Sequence, residues 1–471
     1  MKLEDVGFVM NDKGIMELVD YELLIEKFIE KNKLIMLKNN KGKYSYYMYD
    51  EYYWKLTDEV EIIREMVNFL SNIEPKTWKY KYSNPVIHFL ELALKIEDKM
   101  DKYKHIMEFK DFAVNLRNGY VEEKDVERYN TYYKKYTVEE LDNSTCPVFE
   151  SFLKDITGGN EEFEEYLILM IGSILSSENR RHKIRIIHGA GGEGKSVFLG
   201  LINHLVGDRS ASRKLDTFSQ TFGLQGLSNK IFVHCSESES TKPVKAEVLK
   251  GITGSDEVEI QEKFLETRTE KLDLNILFLC NNLFKIHDDS DGIKRRLELI
   301  PFHNPVSKEK RDPYLLEKLK REEVGILNKV IGAYQGLLIK EEENNGMDMM
   351  NIPKVVKEFT AMYIEKYLVP KGSYGTSDEE LCLNYLDKYW ITDEKERVDK
   401  MIFYKFFKKM TNNNMSNISF WRYLKTSLNK IGIIERKDGK AFIEGIKINP
   451  EYEEELNQFI NNNKIRIFFI L

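Results

Sequence analysis

Cysteine is scarce in this chain of 471 residues, which holds only four. Cys146, Cys235, Cys280 and Cys382 form no Cys-x-x-Cys pair. The first residues, Met1–Asp5, carry acidic side chains where a secretory signal peptide needs a basic and then an apolar stretch. We therefore expect a reduced, cytoplasmic protein.

Two further features are missing, a long apolar run and a surplus of basic residues. No run approaches the roughly 20 residues that a membrane span needs, so we expect no transmembrane helix and no membrane partner. Lysine and arginine number 71 against 78 acidic residues, which gives a net charge of −7. Proteins that coat nucleic acid use a basic surplus to displace counterions from phosphates. Any DNA contact must therefore be local, as in a ring-shaped motor that lines a channel.

The sequence does contain a phosphate-binding motif, or P-loop, directly after a strand-like run, Lys183–His188. Residues 189–196 match G-x-x-x-x-G-K-[ST], in which glycines let backbone N–H groups turn toward phosphate oxygens. Lys195 would place its charge on the β and γ phosphates, and Ser196 would ligate Mg²⁺. The alternative is a glycine-rich turn without a ligand, but the helix that follows favours ATP and Mg²⁺. The predicted nucleotide-binding residues are Gly189, Ala190, Gly191, Gly192, Glu193, Gly194, Lys195, Ser196 and Val197.

An acidic cluster follows the next apolar run, Ile231–Val233, and holds Glu237 and Glu239. A carboxylate at the tip of a buried strand beside the phosphate loop can polarise a water or hold the Mg²⁺ shell. Two acids after a strand are otherwise typical of a solvated surface. The spacing of about 40 residues from the motif favours the catalytic interpretation. Glu237 is the first candidate, also as a metal ligand, and Glu239 is the second.

Two later motifs are typical of a site that hydrolyses its nucleotide. The strand-like run Leu274–Cys280 ends in Asn281, whose amide can orient the attacking water or can merely end the strand in a turn. Arg295 and Arg296 precede another strand-like run, Leu297–Phe302. One of these arginines could reach a γ-phosphate bound by a neighbouring subunit, which would require an oligomer.

With these elements in order, the chain resembles the superfamily III helicases of the poxvirus-type and phage-satellite primase-helicase group. Asn118-Gly119 and Thr145–Leu153 are similar to the region before the motor in that family, and Leu249–Asp256 is similar to the segment before its DNA hairpin. The resemblance implies an AAA+ ATPase that forms hexamers around DNA and moves 3′ to 5′ along single strands. By position, the resemblance assigns MgATP binding to Lys195 and Ser196, and the acidic end of the strand to Glu237 and Glu239. It also assigns the first sensor to Asn281. The arginine finger would be Arg296, with Arg295 as the alternative.

The segment Val258–Phe264 resembles the family's channel hairpin, in which a lysine and a neighbouring ring contact the DNA backbone. Lys263 is the stronger candidate, and Phe264 stands where viral initiators often carry histidine. From composition alone Lys263 would be an exposed hairpin lysine. Ser236 departs from the family because it occupies the place of the usual Mg²⁺-binding acid. A primase domain with paired metal-binding acids is also missing, so we expect no primase activity and a separate primase or polymerase as a possible partner.

The region from Leu381 to Ile448 is typical of a winged helix, because helical stretches are followed by two strand-like runs around an Asp-Gly turn. Such a domain can bind duplex DNA through backbone contacts, or it can dock another protein. The sequence leaves both functions open. The candidate DNA contacts are Arg422, Lys425, Arg436, Lys437 and Lys440.

Together these patterns predict an α/β multidomain protein whose P-loop AAA+ core has a parallel sheet with flanking helices. We expect a mixed α/β N-terminal domain at 1–140, a helical collar at 141–180, the helicase core at 181–340 and the winged-helix-like domain at 353–471. The polar stretch Glu341–Gly346 breaks the periodicity, so we expect a linker there. The predicted function is an ATP-dependent hexameric DNA helicase, or replication initiator, of a phage, plasmid or integrated mobile element. It would bind single- and double-stranded DNA in the cytoplasm of a bacterial host. The alternatives are an AAA+ ATPase that remodels protein and an origin-binding nucleotide switch that does not unwind DNA.

Overall fold

A computed structural model gives the structure of the chain. It describes residues 1–38, 44–177, 179–220, 222–235, 244–254, 256–261, 267–288, 290–306, 311–368, 378–411, 415–431, 433–437 and 440–462. The chain divides into two compact units, the first formed by residues 1–286 and 291–368 and the second by 287–290 and 369–471. The four domain boundaries expected from the sequence stay predictions. Within the described ranges, no helix is both long and apolar enough to cross a membrane.

The N-terminal part of the first unit mixes short strands with helices. Its elements are β1 (Phe8–Met10), β2 (Met16–Leu18), α1 (Tyr21–Lys31), β3 (Leu34–Lys38), β4 (Tyr44–Asp50), β5 (Tyr53–Thr57), α2 (Glu59–Ser71), α3 (Ser83–Ala93), β6 (Ile96–Glu97), β7 (Ile106–Glu108), β8 (Ala113–Asn115), β9 (Val121–Glu122) and α4 (Val138–Asp142).

A four-stranded sheet of order β5-β4-β3-β6 forms the framework of this part. β4 runs antiparallel to both β3 and β5, whereas β6 runs parallel to β3. The aromatic side chains of these strands supply packing, since Tyr46 and Trp54 are only 6% and 3% exposed. The Trp54 indole N–H donates to the carbonyl oxygen of Val126 at 2.9 Å, so its one polar group is satisfied.

The rest of the first unit alternates strands and helices. Its elements are α5 (Pro147–Thr157), α6 (Glu161–Leu175), β10 (Ile184–His188), α7 (Lys195–Val206), β11 (Ser210–Ser212), β12 (Phe232–Cys235), β13 (Val244–Lys245), α8 (Ala246–Thr253), β14 (Glu257–Ile260), β15 (Arg268–Lys271), β16 (Asn275–Cys280), β17 (Ile286–His287), α9 (Asp291–Lys294), β18 (Leu297–Pro301), α10 (Leu315–Arg321), α11 (Glu323–Glu343) and α12 (Lys354–Tyr367).

A five-stranded sheet of order β11-β12-β16-β10-β18 organises this region, and every neighbouring pair in it is parallel. Every residue of β16 and β18 is buried, as expected for a parallel sheet covered on both faces. Successive residues of β10 point to opposite faces. Ile187 packs in the cluster that contains α6 and α7, and Ile186 packs in the cluster that contains α8 and Tyr363 of α12. The predicted parallel sheet with flanking helices is therefore confirmed.

The polar stretch Glu341–Gly346, which the sequence suggests as a linker, is partly helical. α11 continues to Glu343, and Glu341 is buried at 5% exposure. Arg181 donates to the Glu341 carboxylate, and Arg180 lies 3.3 Å from it. The run of acids was misleading because Glu341 is buried and pairs with Arg180 and Arg181 instead of facing solvent.

The second unit contains α13 (Asp378–Tyr389), β19 (Trp390–Asp399), α14 (Lys400–Thr411), α15 (Asn417–Ile431), β20 (Ile433–Lys437), β21 (Lys440–Ile448) and α16 (Glu453–Asn462). Its strands form an antiparallel sheet of order β19-β21-β20. Aromatic residues dominate its core, where the rings of Phe407 and Phe420 lie 4.4 Å apart. A helix followed by a two-stranded hairpin thus occurs where the sequence indicates it.

Candidate functional site

The glycine-rich loop, residues 189–194, connects the inner strand β10 to the start of α7. Gly191, Gly192 and Gly194 have φ values of +129°, +86° and +85°, a region that residues with side chains rarely adopt. A β-carbon on Gly194 would also lie 2.9 Å from the ring of Phe152. The glycines are therefore required by backbone conformation and by packing against α5.

Lys195, the first residue of α7, turns its side chain back into the loop. Its Nζ donates to the carbonyl oxygen of Gly189 at 2.7 Å and to Oε2 of Glu193 at 3.1 Å. Lys195 is 8% exposed, whereas Ser196 is exposed on the first turn of the helix. The loop thus holds an ammonium group inside and presents a hydroxyl group beside it.

The Glu193 carboxylate accepts hydrogen bonds inside the loop, an arrangement that the sequence motif does not specify. The Gly191 N–H donates to its two oxygens at 2.9 and 2.7 Å. Burial by itself raises the pKa of Glu193, but hydrogen bonds from Lys195 and Gly191 outweigh burial and hold the pKa below its ordinary value of 4.5. The Glu193 carboxylate therefore occupies the Gly191 N–H and the Lys195 ammonium group, which are donors of the kind that bind phosphate oxygens. Its negative charge balances the positive charge of Lys195.

Neighbouring strands end at the same edge of the sheet as the loop. His188, the last residue of β10, is in register with Cys280 of β16 and with Pro301 of β18. Asn281 follows Cys280 directly and is exposed, so it lies at the edge where the glycine-rich loop begins. This location is compatible with its predicted role as a sensor, which stays a prediction.

The predicted acids follow β12, which runs parallel to β16 with Cys235 opposite Phe278. β12 therefore ends at the same edge as β10 and β16. Glu237 and Glu239 themselves lie outside the described residues, as does Ser236. Their part in hydrolysis stays a prediction. It is compatible with the direction of β12, which leads toward the edge of the sheet where the glycine-rich loop lies.

The segment predicted as a channel hairpin does form a hairpin. β14 and β15 pair antiparallel, with Glu257 opposite Lys271 and Ile260 opposite Arg268. Lys263 and Phe264 fall in the connection between these strands and lie outside the described residues. Their contact with DNA stays a prediction.

The arginine pair lies at the opposite edge of the sheet from the glycine-rich loop, because both residues precede β18. The Ile184 N–H at the start of β10 donates to the carbonyl oxygen of Arg296 at 2.7 Å. The five residues of β18 separate the two edges by about 16 Å at about 3.3 Å per residue. Neither Arg295 nor Arg296 is thus placed beside the loop of its own chain.

The two arginines differ in their surroundings. Arg295 is exposed, whereas Arg296 is 8% exposed and donates from Nη1 to the carbonyl oxygen of Gly292 at 2.7 Å. Burial lowers the pKa of Arg296, and the neighbouring charge of Arg295 lowers it further. Exposure thus favours Arg295 as the group that is free to reach another molecule, while the family resemblance favours Arg296.

A basic residue outside every predicted motif, Arg311, lies against the glycine-rich loop. A β-carbon on Gly192 would be 2.3 Å from its Nη2. Sequence analysis missed it because it lies far along the chain from the motif, after β18, and no local pattern connects it to the loop.

In the second unit the candidate DNA contacts are only partly described. Arg422 lies on α15 and is exposed, next to the half-buried Trp421, whose ring has the ammonium group of Lys400 at 4.5 Å. Lys425, Arg436, Lys437 and Lys440 lie on described backbone, and their side chains are outside the described residues. DNA contact by these residues stays a prediction.

Comparison with known proteins finds similarity over parts of the chain. A profile of the Family of unknown function (DUF5906) matches residues 187–296. The "Putative helicase" of Acanthamoeba polyphaga mimivirus is 26% identical over 258 residues, which are 50% of this chain and 26% of that protein. An "Uncharacterized mitochondrial protein" of Marchantia polymorpha is 26% identical over 162 residues, which are 32% of this chain and 90% of that protein.

Among solved structures, two apo structures of the NrS-1 C-terminal region are 13% identical to this chain, with TM-scores of 0.48 and 0.44. The alignments cover 92% and 91% of this chain and 100% of each of those chains. The sequence match to the mimivirus protein spans about a quarter of that protein's length. Across 50% of its own length, this chain is similar to a putative viral helicase.

Proposed function

We propose that this chain is the motor of a DNA helicase that hydrolyses ATP with Mg²⁺ and acts in replication of a mobile genetic element. The observation that carries the proposal is the glycine-rich loop at the end of β10, an inner strand of a parallel sheet, with Lys195 turned into it. Ligands of open α/β sheets bind at the carboxyl ends of the strands, which is where this loop lies. The N-terminus of α7 also directs its dipole toward the same place.

The donor set fits a nucleoside triphosphate with Mg²⁺. The loop already holds an anion, the Glu193 carboxylate, between Lys195 and the Gly191 N–H, so an anionic phosphate suits the same donors. Ser196 and Glu237 are the residues that would hold Mg²⁺, which keeps most of its remaining ligands as water and phosphate oxygen. When bound, Mg²⁺ would neutralise charge on the β and γ phosphates. Glu237 would polarise the attacking water, and Asn281 would orient it.

A ring of six copies is part of the proposal, and the placement of the arginine pair supports an arrangement in which neighbouring subunits complete each other's sites. Arg296 and Arg295 lie about 16 Å from the loop of their own chain, so neither completes its own site. In a head-to-tail ring the edge of one subunit that carries these arginines would face the loop of the next. An arginine supplied in this way stabilises charge on the transferred phosphoryl group.

DNA contact is proposed at the β14–β15 hairpin, whose connection contains Lys263 and Phe264. A short hairpin can move as a rigid body. A lysine in its connection would bind backbone phosphates of DNA irrespective of base sequence. The second unit, with α15 followed by the β20–β21 hairpin, is proposed as a winged helix that binds duplex DNA or docks another protein.

Unwinding of a fluorescently labelled forked duplex tests the proposal. Wild-type protein with ATP and Mg²⁺ should separate the strands, whereas Lys195→Ala and Glu237→Gln should not. Lys154→Ala, which removes an exposed lysine of α5, is the matched control and should unwind normally. Robust ATP hydrolysis without strand separation and without response to DNA would instead indicate a protein-remodelling ATPase. Site-specific duplex binding without turnover would indicate an origin-binding switch.

A further inference from the structure

Arg311 lies against the glycine-rich loop at Gly192. A β-carbon on Gly192 would lie 2.3 Å from Nη2 and 2.9 Å from Cζ of Arg311. Gly192 is exposed and has a φ of +86°, so the guanidinium group rests directly on loop backbone rather than on another side chain. A side chain at this position would have to displace the guanidinium group from the loop.

Two hydrogen bonds connect Arg311 to the loop through Val306, one within the segment and one to the loop. The Val306 N–H donates to the carbonyl oxygen of Gly192 at 3.2 Å, and Nε of Arg311 donates to the carbonyl oxygen of Val306 at 3.2 Å. Beyond Arg311, α10 packs on α7, since a β-carbon on Gly200 would lie 2.9 Å from the Leu316 side chain. The position of Arg311 is therefore set by contacts to the loop itself and to the helix that begins at the loop.

The loop interior has no net positive charge for a triphosphate, and Arg311 can supply one. Glu193 balances Lys195, so the interior offers no net positive charge to a triphosphate. Arg311 is exposed, and within the described ranges its Nη1 and Nη2 have no hydrogen-bond or ion-pair partner. A guanidinium group with two available N–H₂ groups is suited to bidentate contact with phosphate oxygens.

We propose that Arg311 binds the phosphates of the nucleotide held by the glycine-rich loop of the same subunit. The inference rests on the proposed function, because it assumes that the loop binds a nucleotide. It adds a cis-acting arginine to a site for which the sequence indicates only a trans-acting one. Each bound triphosphate would then meet Arg311 of its own chain and Arg295 or Arg296 of the next.

The test is equilibrium binding of a fluorescent ATP analogue, with unlabelled ATP, ADP and AMP as competitors, at a protein dilution where mass photometry finds single subunits. Arg311→Ala should weaken ATP binding about tenfold or more, since a hydrogen-bonded charge contact contributes on that scale. AMP binding should change least. Arg311→Lys should recover part of the ATP affinity, because it keeps the positive charge but lacks the two N–H₂ groups needed for bidentate contact.

Arg321→Ala is the matched control, because Arg321 is exposed in the last turn of α10, and it should bind ATP like wild type. Equal ATP affinity for wild type, Arg311→Ala and Arg321→Ala would overturn the role of Arg311 while leaving the proposed function intact, provided that Lys195→Ala abolishes binding. Failure of the wild-type protein to bind ATP, or unchanged binding by Lys195→Ala, would overturn the proposed function and this inference with it.

Discussion

Arg185 of β10 and Glu298 of β18 form an ion pair inside the first unit, with Nε and Oε2 3.3 Å apart and exposures of 1% and 3%. The Tyr166 hydroxyl donates to the same Glu298 oxygen at 3.0 Å, and Nη2 of Arg185 donates to Ser173 at 3.1 Å. The pair therefore links the strand that carries the glycine-rich loop to the strand that follows the arginine pair. It also fastens both strands to α6.

Removal of Glu298 should destabilise the protein strongly. Glu298→Ala leaves the Arg185 guanidinium buried without its carboxylate, and such a loss costs about 3–5 kcal/mol. Chemical denaturation followed by tryptophan fluorescence measures the change. Glu358→Ala is the control, because Glu358 pairs with Lys354 at the surface, where an ion pair contributes about 0–1 kcal/mol. Similar midpoints for the two variants would contradict the structural role of the buried pair.

Replacement of Glu193 should tighten nucleotide binding. Its carboxylate occupies the Gly191 N–H and the Lys195 ammonium group, so a phosphate must displace it before it can bind there. Glu193→Ala removes this internal competitor and should lower the Kd for ADP about tenfold, the change that 1.4 kcal/mol produces. Isothermal titration with ADP and Mg²⁺ provides the measurement. Weaker binding by the variant would mean that Glu193 supports the loop rather than competing with its ligand.

Replacement of the buried Arg296 should destabilise the protein more than replacement of the exposed Arg295. Arg296→Ala leaves the carbonyl oxygen of Gly292 without its donor and should lower the free energy of unfolding by about 1–3 kcal/mol. Arg295→Ala, at an exposed position, should change it by no more than about 0.5 kcal/mol. Thermal melts of the two variants measure the difference. Equal loss of stability would contradict the environments described for them.

Action in trans can be tested by mixing subunits. Lys195→Ala subunits keep the arginines but lose their own nucleotide site, whereas Arg296→Ala or Arg295→Ala subunits keep the nucleotide site. A mixture should regain ATP hydrolysis that neither variant shows alone, because each supplies what the other lacks. The variant that is complemented identifies the arginine finger. Absence of complementation with both arginine variants would contradict the trans arrangement.

Acid should weaken the fold near the glycine-rich loop through His188. Burial lowers the pKa of His188 below its ordinary value of 6.5, and His303, whose Nε2 lies 3.0 Å from Nδ1 of His188, lowers it further, as does Lys195. The unfolded chain therefore takes up a proton at higher pH than the folded one, so this stability is complete above pH 6.5 and is lost as pH falls below it. Tm should drop between pH 7 and 5.5, and the drop should be smaller in His188→Gln. Identical pH profiles would exclude this linkage.

The sequence predicts the glycine-rich loop well because all its determinants are local. The strand-like run before Gly189, the glycine spacing and the helix after Lys195 lie in one continuous segment. The β14–β15 hairpin is predicted from the family resemblance, whereas local determinants again suffice for the helix and hairpin of the second unit. In these two locally determined cases a short stretch of chain contains both the hydrophobic pattern and the turn residues that decide the structure.

Contacts across the chain could not be predicted in this way. Arg311 approaches Gly192 only because α10 packs on α7, and nothing in the residues around Arg311 indicates that packing. The acidic run at Glu341 suggested a solvated linker because its partners, Arg180 and Arg181, lie far away in sequence. The inward turn of Glu193 was also missed, since the motif allows any residue at that position.

DNA-stimulated ATP hydrolysis tests the central claim most directly, measured for wild type, Lys263→Ala and Lys271→Ala with single-stranded DNA present or absent. Lys271 is the matched control, an exposed lysine on β15 of the same hairpin. The mass of the assembly is determined in parallel with a slowly hydrolysed ATP analogue. The account predicts stimulation by DNA in wild type and Lys271→Ala, its loss in Lys263→Ala, and a ring-sized oligomer. Hydrolysis that is indifferent to DNA in all three proteins would contradict it.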